Sequence, residues 1–174
     1  MPIIIYFSRK NENMLYGEIK NLSKGNTAVV ASKIAKELNI EAAEIIPVKE
    51  YPESYQEAVD AAKKEKLDQA RPAYRLTVPN LSDYNEIIMG YPNWWGTYPM
   101  IIASFLEDYD LTGKTIYPFC THEGSALGSS IDDLKKSCPG AIIEQGLAIH
   151  GSKADRANKS VKHWVTWLIL NKNK

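Results

Sequence analysis

Three stretches of this sequence carry residues able to do chemistry. Gly90-Tyr91-Pro92-Asn93-Trp94-Trp95-Gly96-Thr97-Tyr98-Pro99 mixes aromatic rings and glycine outside any periodic pattern. Neighbouring side chains of a regular strand face opposite sides, so Trp94 and Trp95 cannot both enter one core. At least one belongs in a pocket wall, where an indole stacks on a planar ring system while loop amides between Pro92 and Thr97 bond its polar edge. The alternative is a hydrophobic lid on the core or an interface anchor.

The second stretch is Cys120-Thr121-His122-Glu123-Gly124-Ser125-Ala126-Leu127-Gly128-Ser129-Ser130. Its small residues allow a ligand to approach the backbone closely, and the His122-Glu123 pair suggests acid-base or metal chemistry. A metal needs further ligands, and His150 and His163 stand in no ligand spacing with the pair. No Gly-x-Ser-x-Gly marks a hydrolase elbow. The third stretch, Ser23-Lys24-Gly25-Asn26-Thr27, runs into a helical pattern. Free amides, hydroxyls and the positive end of the helix dipole suit a phosphate there, although Asn and Thr are also ordinary helix caps. The spacing is not that of a Walker loop.

These loops need a scaffold. Strand-length apolar runs lie at Ile3 to Phe7, Ile40 to Ile46, Ile87 to Met89, Thr115 to Cys120 and Ala141 to Ile149. Between them, Val30, Ile34 and Leu38 share one face of a helix starting at Asn26 or Thr27. Ser54, with Glu57 at the capping-box spacing, opens a charged helix reaching Gln69. Further helices fall at Pro99 to Tyr109, with proline in the first turn, at Ser129 to Lys136 and at Lys159 to Leu170. Alternating strands and helices, with no hairpin signal such as Asn-Gly, predict a doubly wound α/β fold with a parallel sheet between helices. Ser8 to Lys24, Ala70 to Tyr84 and His150 to Asn158 read as loops. Ligands of such sheets bind beyond the carboxyl ends of the strands, where strand order reverses.

The 174 residues suffice for one core, so one domain is expected over residues 1–174. Lys plus Arg equals Asp plus Glu at 21 each, a balance that predicts no nucleic-acid or membrane partner, although a local patch fits inside a neutral total. Cys120 and Cys138 lack redox or zinc spacing and read as buried free thiols. No signal segment or bilayer-length apolar run is apparent, which leaves a cytoplasmic location as the expectation.

Taken together, the loops resemble those of flavodoxins, specifically the group with a Tyr-Pro-x-Trp-Trp-Gly loop and a Thr-His-Glu-Gly-Ser loop. The likeness extends through Tyr6-Phe7-Ser8-Arg9, Gly25-Asn26-Thr27, Tyr51-Pro52, Ala70-Arg71-Pro72, Gly90 to Pro99 and Pro118 to Ser125. It implies a five-stranded parallel sheet of order 2-1-3-4-5 and FMN as cofactor. By the same resemblance Ser8, Asn26 and Thr27 hold the phosphate, with Arg9 and the Asn11 to Asn13 stretch as helpers. Pro92, Asn93, Trp94, Trp95, Gly96 and Thr97 line the isoalloxazine, and Thr121, His122, Glu123, Gly124 and Ser125 close its other side. Lys10 to Lys24 interrupt the continuous phosphate loop of the family. No residue is assigned as a catalytic acid or base.

The resemblance implies electron transfer through the flavin with redox partner proteins. The alternative is a small FMN-dependent NAD(P)H oxidoreductase of the quinone-reductase kind. Flavodoxin carriers are markedly acidic, whereas this chain is neutral, which weakens docking to a basic partner and leaves room for the oxidoreductase. A third reading is an FMN-free interaction module anchored by its Trp loop.

Overall fold

In the computed structural model of the chain, the residues described are 2–78 and 80–171. Met1, Pro79 and 172–174, parts of the expected 1–174 domain and of the 70–84 loop, lie outside them. In chain order the elements are β1 (Ile3–Tyr6), β2 (Asn11–Leu15), β3 (Glu18–Leu22), α1 (Asn26–Leu38), β4 (Ala42–Glu44), β5 (Ile46–Pro47), α2 (Tyr55–Leu67) and β6 (Tyr74–Arg75). There follow β7 (Glu86–Pro92), α3 (Met100–Asp108), β8 (Thr115–His122), α4 (Ser130–Ser137), β9 (Ile142–Ile143), β10 (Leu147–His150) and α5 (Asn158–Asn171).

The strands β4, β1, β7, β8 and β10 lie side by side, all parallel. Counted in chain order among themselves, they take the expected order 2-1-3-4-5. The expected fifth strand is interrupted, however. β9 also pairs β8, so among the described residues the sheet has six strands, and between the pieces of the fifth the Gln145 carbonyl accepts the Trp164 indole N–H at 3.2 Å.

Side chains alternate across this sheet as the strand period requires. Ile3, Ile5 and Phe7, with Ile87, Met89 and Tyr91, pack on the side of α3 and α4 against Ile101, Phe105 and Leu134. Ile4, Ile88, Tyr117 and Phe119 face α1 and α5, meeting Val30, Ile34, Val161 and Leu168. Ile4, Ile5, Ile88 and Phe119 are wholly buried, and each such side chain stabilises the fold by about 1.5–3 kcal/mol. Gly90 leaves space for Phe119, because a Cβ there would fall 2.0 Å from the Phe119 ring.

The helices largely stand where expected. Ser54 caps α2 by accepting from the Glu57 N–H, and Pro99 takes the cap position of α3 rather than its first turn. The 70–84 stretch holds β6, which pairs β5, and a 3-10 turn at Leu81–Asp83. The other two expected loops are corrected. His150 to Asn158 contains a 3-10 turn at Gly151–Arg156. Ser8 to Lys24 contains an antiparallel hairpin of β2 and β3, joined through Tyr16 and Gly17 with φ of 52° and 77°. Two positive φ values mark a tight turn whose twist matches the strands. Tyr-Gly makes this turn in place of Asn-Gly, and Tyr16 is held there by its N–H, which donates to Ser152 Oγ at 2.9 Å, and by its hydroxyl, which accepts from Arg156.

Candidate functional site

At the carboxyl ends of β1, β7 and β8 lies a cleft of about 370 Å³, within the roughly 300–1,000 Å³ of small-molecule and cofactor sites. It joins chain segments far apart in sequence. The Trp loop lines it with Pro92, Asn93, Trp94, Trp95 and Gly96, and the His loop with Thr121, His122, Glu123 and Ser125. Arg9, Asn13 and Asn26 line it from the side of the hairpin base and the first turn of α1.

The two loops are latched into one unit. Asn93 N–H donates to Thr121 O at 2.8 Å, and its side chain donates to Ala126 O at 2.8 Å while accepting from Gly96 N–H at 3.0 Å. Trp95 and Gly96, with φ of 55° and 86°, reverse the chain so that Trp94 N–H donates to Thr97 O at 2.9 Å. The Gly96 carbonyl then accepts from Ser129 N–H at 2.8 Å and Ser129 Oγ at 3.2 Å. Only glycine fits at 128, since a Cβ there would sit 2.1 Å from Gly96 O. Thr97 is buried and turned away, donating to Asp133 at 2.6 Å.

The two tryptophans play different parts. Trp94 meets Phe7 and Tyr51 edge-on, with ring centroids 5.3 and 4.9 Å apart, and forms the inner wall. Trp95 is 45% exposed; it donates from Nε1 to Val59 O at 3.1 Å, with Lys63 Nζ 5.4 Å from its ring centre. It forms the outer rim, tied to α2. That helix supplies a wall the sequence reading missed, made of Tyr55, Ala58, Val59 and Ala62. Its signal was present, because Ala58 and Ala62 stand four apart on an otherwise charged helix. Met14 of the hairpin and Gly151 complete the lining.

At the first turn of α1, where a phosphate was expected, Ser8 lies outside the cleft lining and its Oγ accepts the Ala28 N–H at 3.0 Å. Thr27 Oγ1 pairs with Thr121 Oγ1 at 2.7 Å in a buried contact. The backbone N–H groups of Asn26 and Thr27 have no acceptor among the described residues, so the first turn of α1 offers two donors and its dipole to an anion. Arg9 spends its guanidinium on carbonyls, donating to those of Glu12, Pro52, Glu53 and Ser54. Its Nε is buried without a partner. The side chain thereby ties the hairpin base to the start of α2, where Glu12 also accepts the Tyr55 N–H at 2.8 Å.

The electrostatics of the walls are set mainly by burial. His122 is held below the usual histidine range by burial and by His150, against the pull of Glu123. Burial pushes the Cys120 thiol up to about 12, so it is no thiolate nucleophile. Tyr51 is pushed well above the usual phenol range by burial and by Glu65, whose carboxylate accepts its hydroxyl at 2.8 Å. Glu123 is taken up by Ser152 N–H and Oγ at 2.9 and 3.0 Å, and Gly124 N–H donates to His122 Nδ1 at 2.9 Å. With aromatic walls, free amides at one end and no activated nucleophile, the arrangement suits holding a planar ring and an anionic tail. FMN has that shape and charge, and these residues fit it.

A family model described as Flavodoxin matches residues 20–168. No curated protein matches this sequence. Among solved structures, a chain from Bacteroides eggerthii described as a "putative flavoprotein" is 27% identical, with 95% of each chain covered and a TM-score of 0.73. A flavoprotein in complex with FMN from Lactobacillus acidophilus is 19% identical over 89% of this chain and 96% of that one, with a TM-score of 0.65. A flavodoxin of Fusobacterium nucleatum bound to flavin mononucleotide is 14% identical over 98% of both chains, with a TM-score of 0.52. The last two are likenesses of fold.

Proposed function

Since this chain belongs to the flavodoxin family, we propose that it binds FMN in the cleft beyond β1, β7 and β8 and transfers electrons through it. The observation that carries this reading is the latched pair of loops facing the open first turn of α1 across one cleft. Bound FMN supplies the redox chemistry. Trp94 would wall the ring, Trp95 would shield its rim, and the amides of Asn26 and Thr27 would take the phosphate. Ser8 would act by ordering Ala28 beside them rather than by direct contact. The buried, water-poor side of Trp94 disfavours a charged ring, so amides and side chains at the opposite wall decide how readily reduction proceeds. Buried free thiols at Cys120 and Cys138 accord with a reducing cytoplasm, and among the described residues no helix is long and apolar enough to cross a membrane.

Purification tests the cofactor directly. A yellow protein, or a colourless one that takes up added FMN with loss of flavin fluorescence, is the expected result; a folded protein that refuses FMN sinks the proposal.

The net charge of zero favours keeping a second reading, an FMN-dependent NAD(P)H oxidoreductase that passes electrons to a quinone-like acceptor. Stopped-flow mixing separates the two. Rapid bleaching of the flavin by NADPH alone selects the enzyme, while bleaching that requires a reductase protein selects the carrier.

A further inference from the structure

Glu123 lines the cleft and His150 stands next to it, and neither has a part in walling the ring or holding the phosphate. Glu123 is fixed by Ser152, and its Oε2 lies 3.6 Å from His150 Nδ1. That is too long for a hydrogen bond, and Nδ1 is buried with no partner. A buried ring nitrogen facing a fixed carboxylate is a prepared place for a proton: protonated, it becomes half of an ion pair, and bare, it stays orphaned.

His122 differs. Its Nδ1 accepts the Gly124 N–H, so its own proton sits on Nε2 and a second would cost that bond. The two rings stand 5.4 Å apart, a distance at which both resist being cationic together. His122 lines the cleft, whereas His150 lines a groove behind it. Of the two rings, His150 is the one whose Nδ1 has no hydrogen-bond partner.

We propose that His150, held against Glu123 one imidazole behind the cleft wall, is the proton acceptor that balances the negative charge of a reduced ring in the cleft. This rests on the FMN reading. For every two electrons delivered by the donor, one proton bonds to the ring and one to His150 Nδ1, so ring anion and imidazolium sum to zero. His122 stays neutral between them and positions the field.

Other charges surround His150. The 3-10 turn brings Lys153 and Arg156 to its groove, both opposing a cation there, with the exposed Asp155 between them. α5 contributes the uncharged Ser160 to the groove, and its Lys159, Lys162 and His163 are exposed. Arg9 shares the cleft with His122 but is occupied by carbonyls. Glu123 is thus the group that makes the site work.

The test is the midpoint potential of the FMN-loaded protein against pH, with dithionite as reductant. For a two-electron couple each coupled proton contributes about 30 mV per pH unit. Near neutrality the wild type is expected to show the slope of two protons and His150→Gln that of one. Glu123→Gln removes the carboxylate that faces Nδ1 and should bring the slope towards that of one proton, and His163→Gln should change nothing. Bound FMN with equal slopes in wild type and His150→Gln overturns the proposal. So does a one-proton slope in the wild type, whether or not the variants fold. A chain that takes up no FMN overturns the cofactor reading first and this one with it.

Discussion

At the scale of single residues, Asn93 does more than its place in a loop suggests. Its backbone and side chain bond three partners on two loops. Asn93→Ala removes two side-chain bonds and leaves the Gly96 N–H and the Ala126 carbonyl without that partner, at roughly 1–3 kcal/mol. FMN dissociation should quicken by about tenfold or more, read by recovery of flavin fluorescence, since 1.4 kcal/mol is a factor of ten. Asn93→Asp keeps the acceptor but not the donor and should fall between. His122 carries a pH signature. Its folded proton affinity lies below its unfolded value of about 6.5, so its contribution to stability is present above that pH and is lost as pH falls through the window beneath it. Melting temperatures of wild type and His122→Asn should therefore converge or cross as pH drops from neutral to 5.5, and parallel curves would refute the assignment.

The aromatic pair was legible in the sequence as a wall because two adjacent indoles cannot share one side of a strand. Their division of labour was not, since it depends on Phe7 and Tyr51 for Trp94 and on Val59 and Lys63 for Trp95. Arg9 shows the same limit. Its guanidinium reads as a phosphate ligand until Pro52, Glu53 and Ser54 are brought to it.

At the scale of elements, the central parallel strands β1, β7 and β8 were legible because they bury both faces, so Ile3 to Phe7 or Thr115 to Cys120 reads as a continuous apolar run. The hairpin was not. Every residue of β2 is half-buried and most of β3 is exposed, so neither strand alternates, and the turn residue Tyr16 is no usual signal. What the hairpin does is visible in its contacts: Glu12 caps α2, and Tyr16 reaches Ser152, the residue that fixes Glu123. Glu12→Ala should destabilise the fold by about 1 kcal/mol, the usual value of a lost cap, and weaken FMN binding through α2. Chemical denaturation and an FMN titration together check this, and unchanged FMN affinity would mean that α2 is not a functional wall.

At the scale of the molecule, ligand and fold are linked. FMN at one hundred times its dissociation constant should stabilise the protein by about 2.7 kcal/mol, which for a chain of this size is a rise in Tm of roughly 5–10 °C. A Tm indifferent to FMN contradicts the cleft assignment. Neutral overall charge also conceals a division. α1, the 3-10 turn at 151–156 and α5 carry Lys33, Lys36, Lys153, Arg156, Lys159 and Lys162 against Glu37 and Asp155. With a total of zero, the remainder of the chain is correspondingly acidic, an asymmetry that composition alone could not reveal.

The latch between Gly96, Gly128 and Asn93 bears on how such proteins can be re-engineered or diversify. Neither loop is a portable cassette. A chimera that imports residues 90–99 from a relative without 120–130 would present a foreign carbonyl to Ser129 and Gly128, whereas a joint transplant carries its own lock and key. Variation in this site is therefore expected to be inherited in pairs, one loop editing the other.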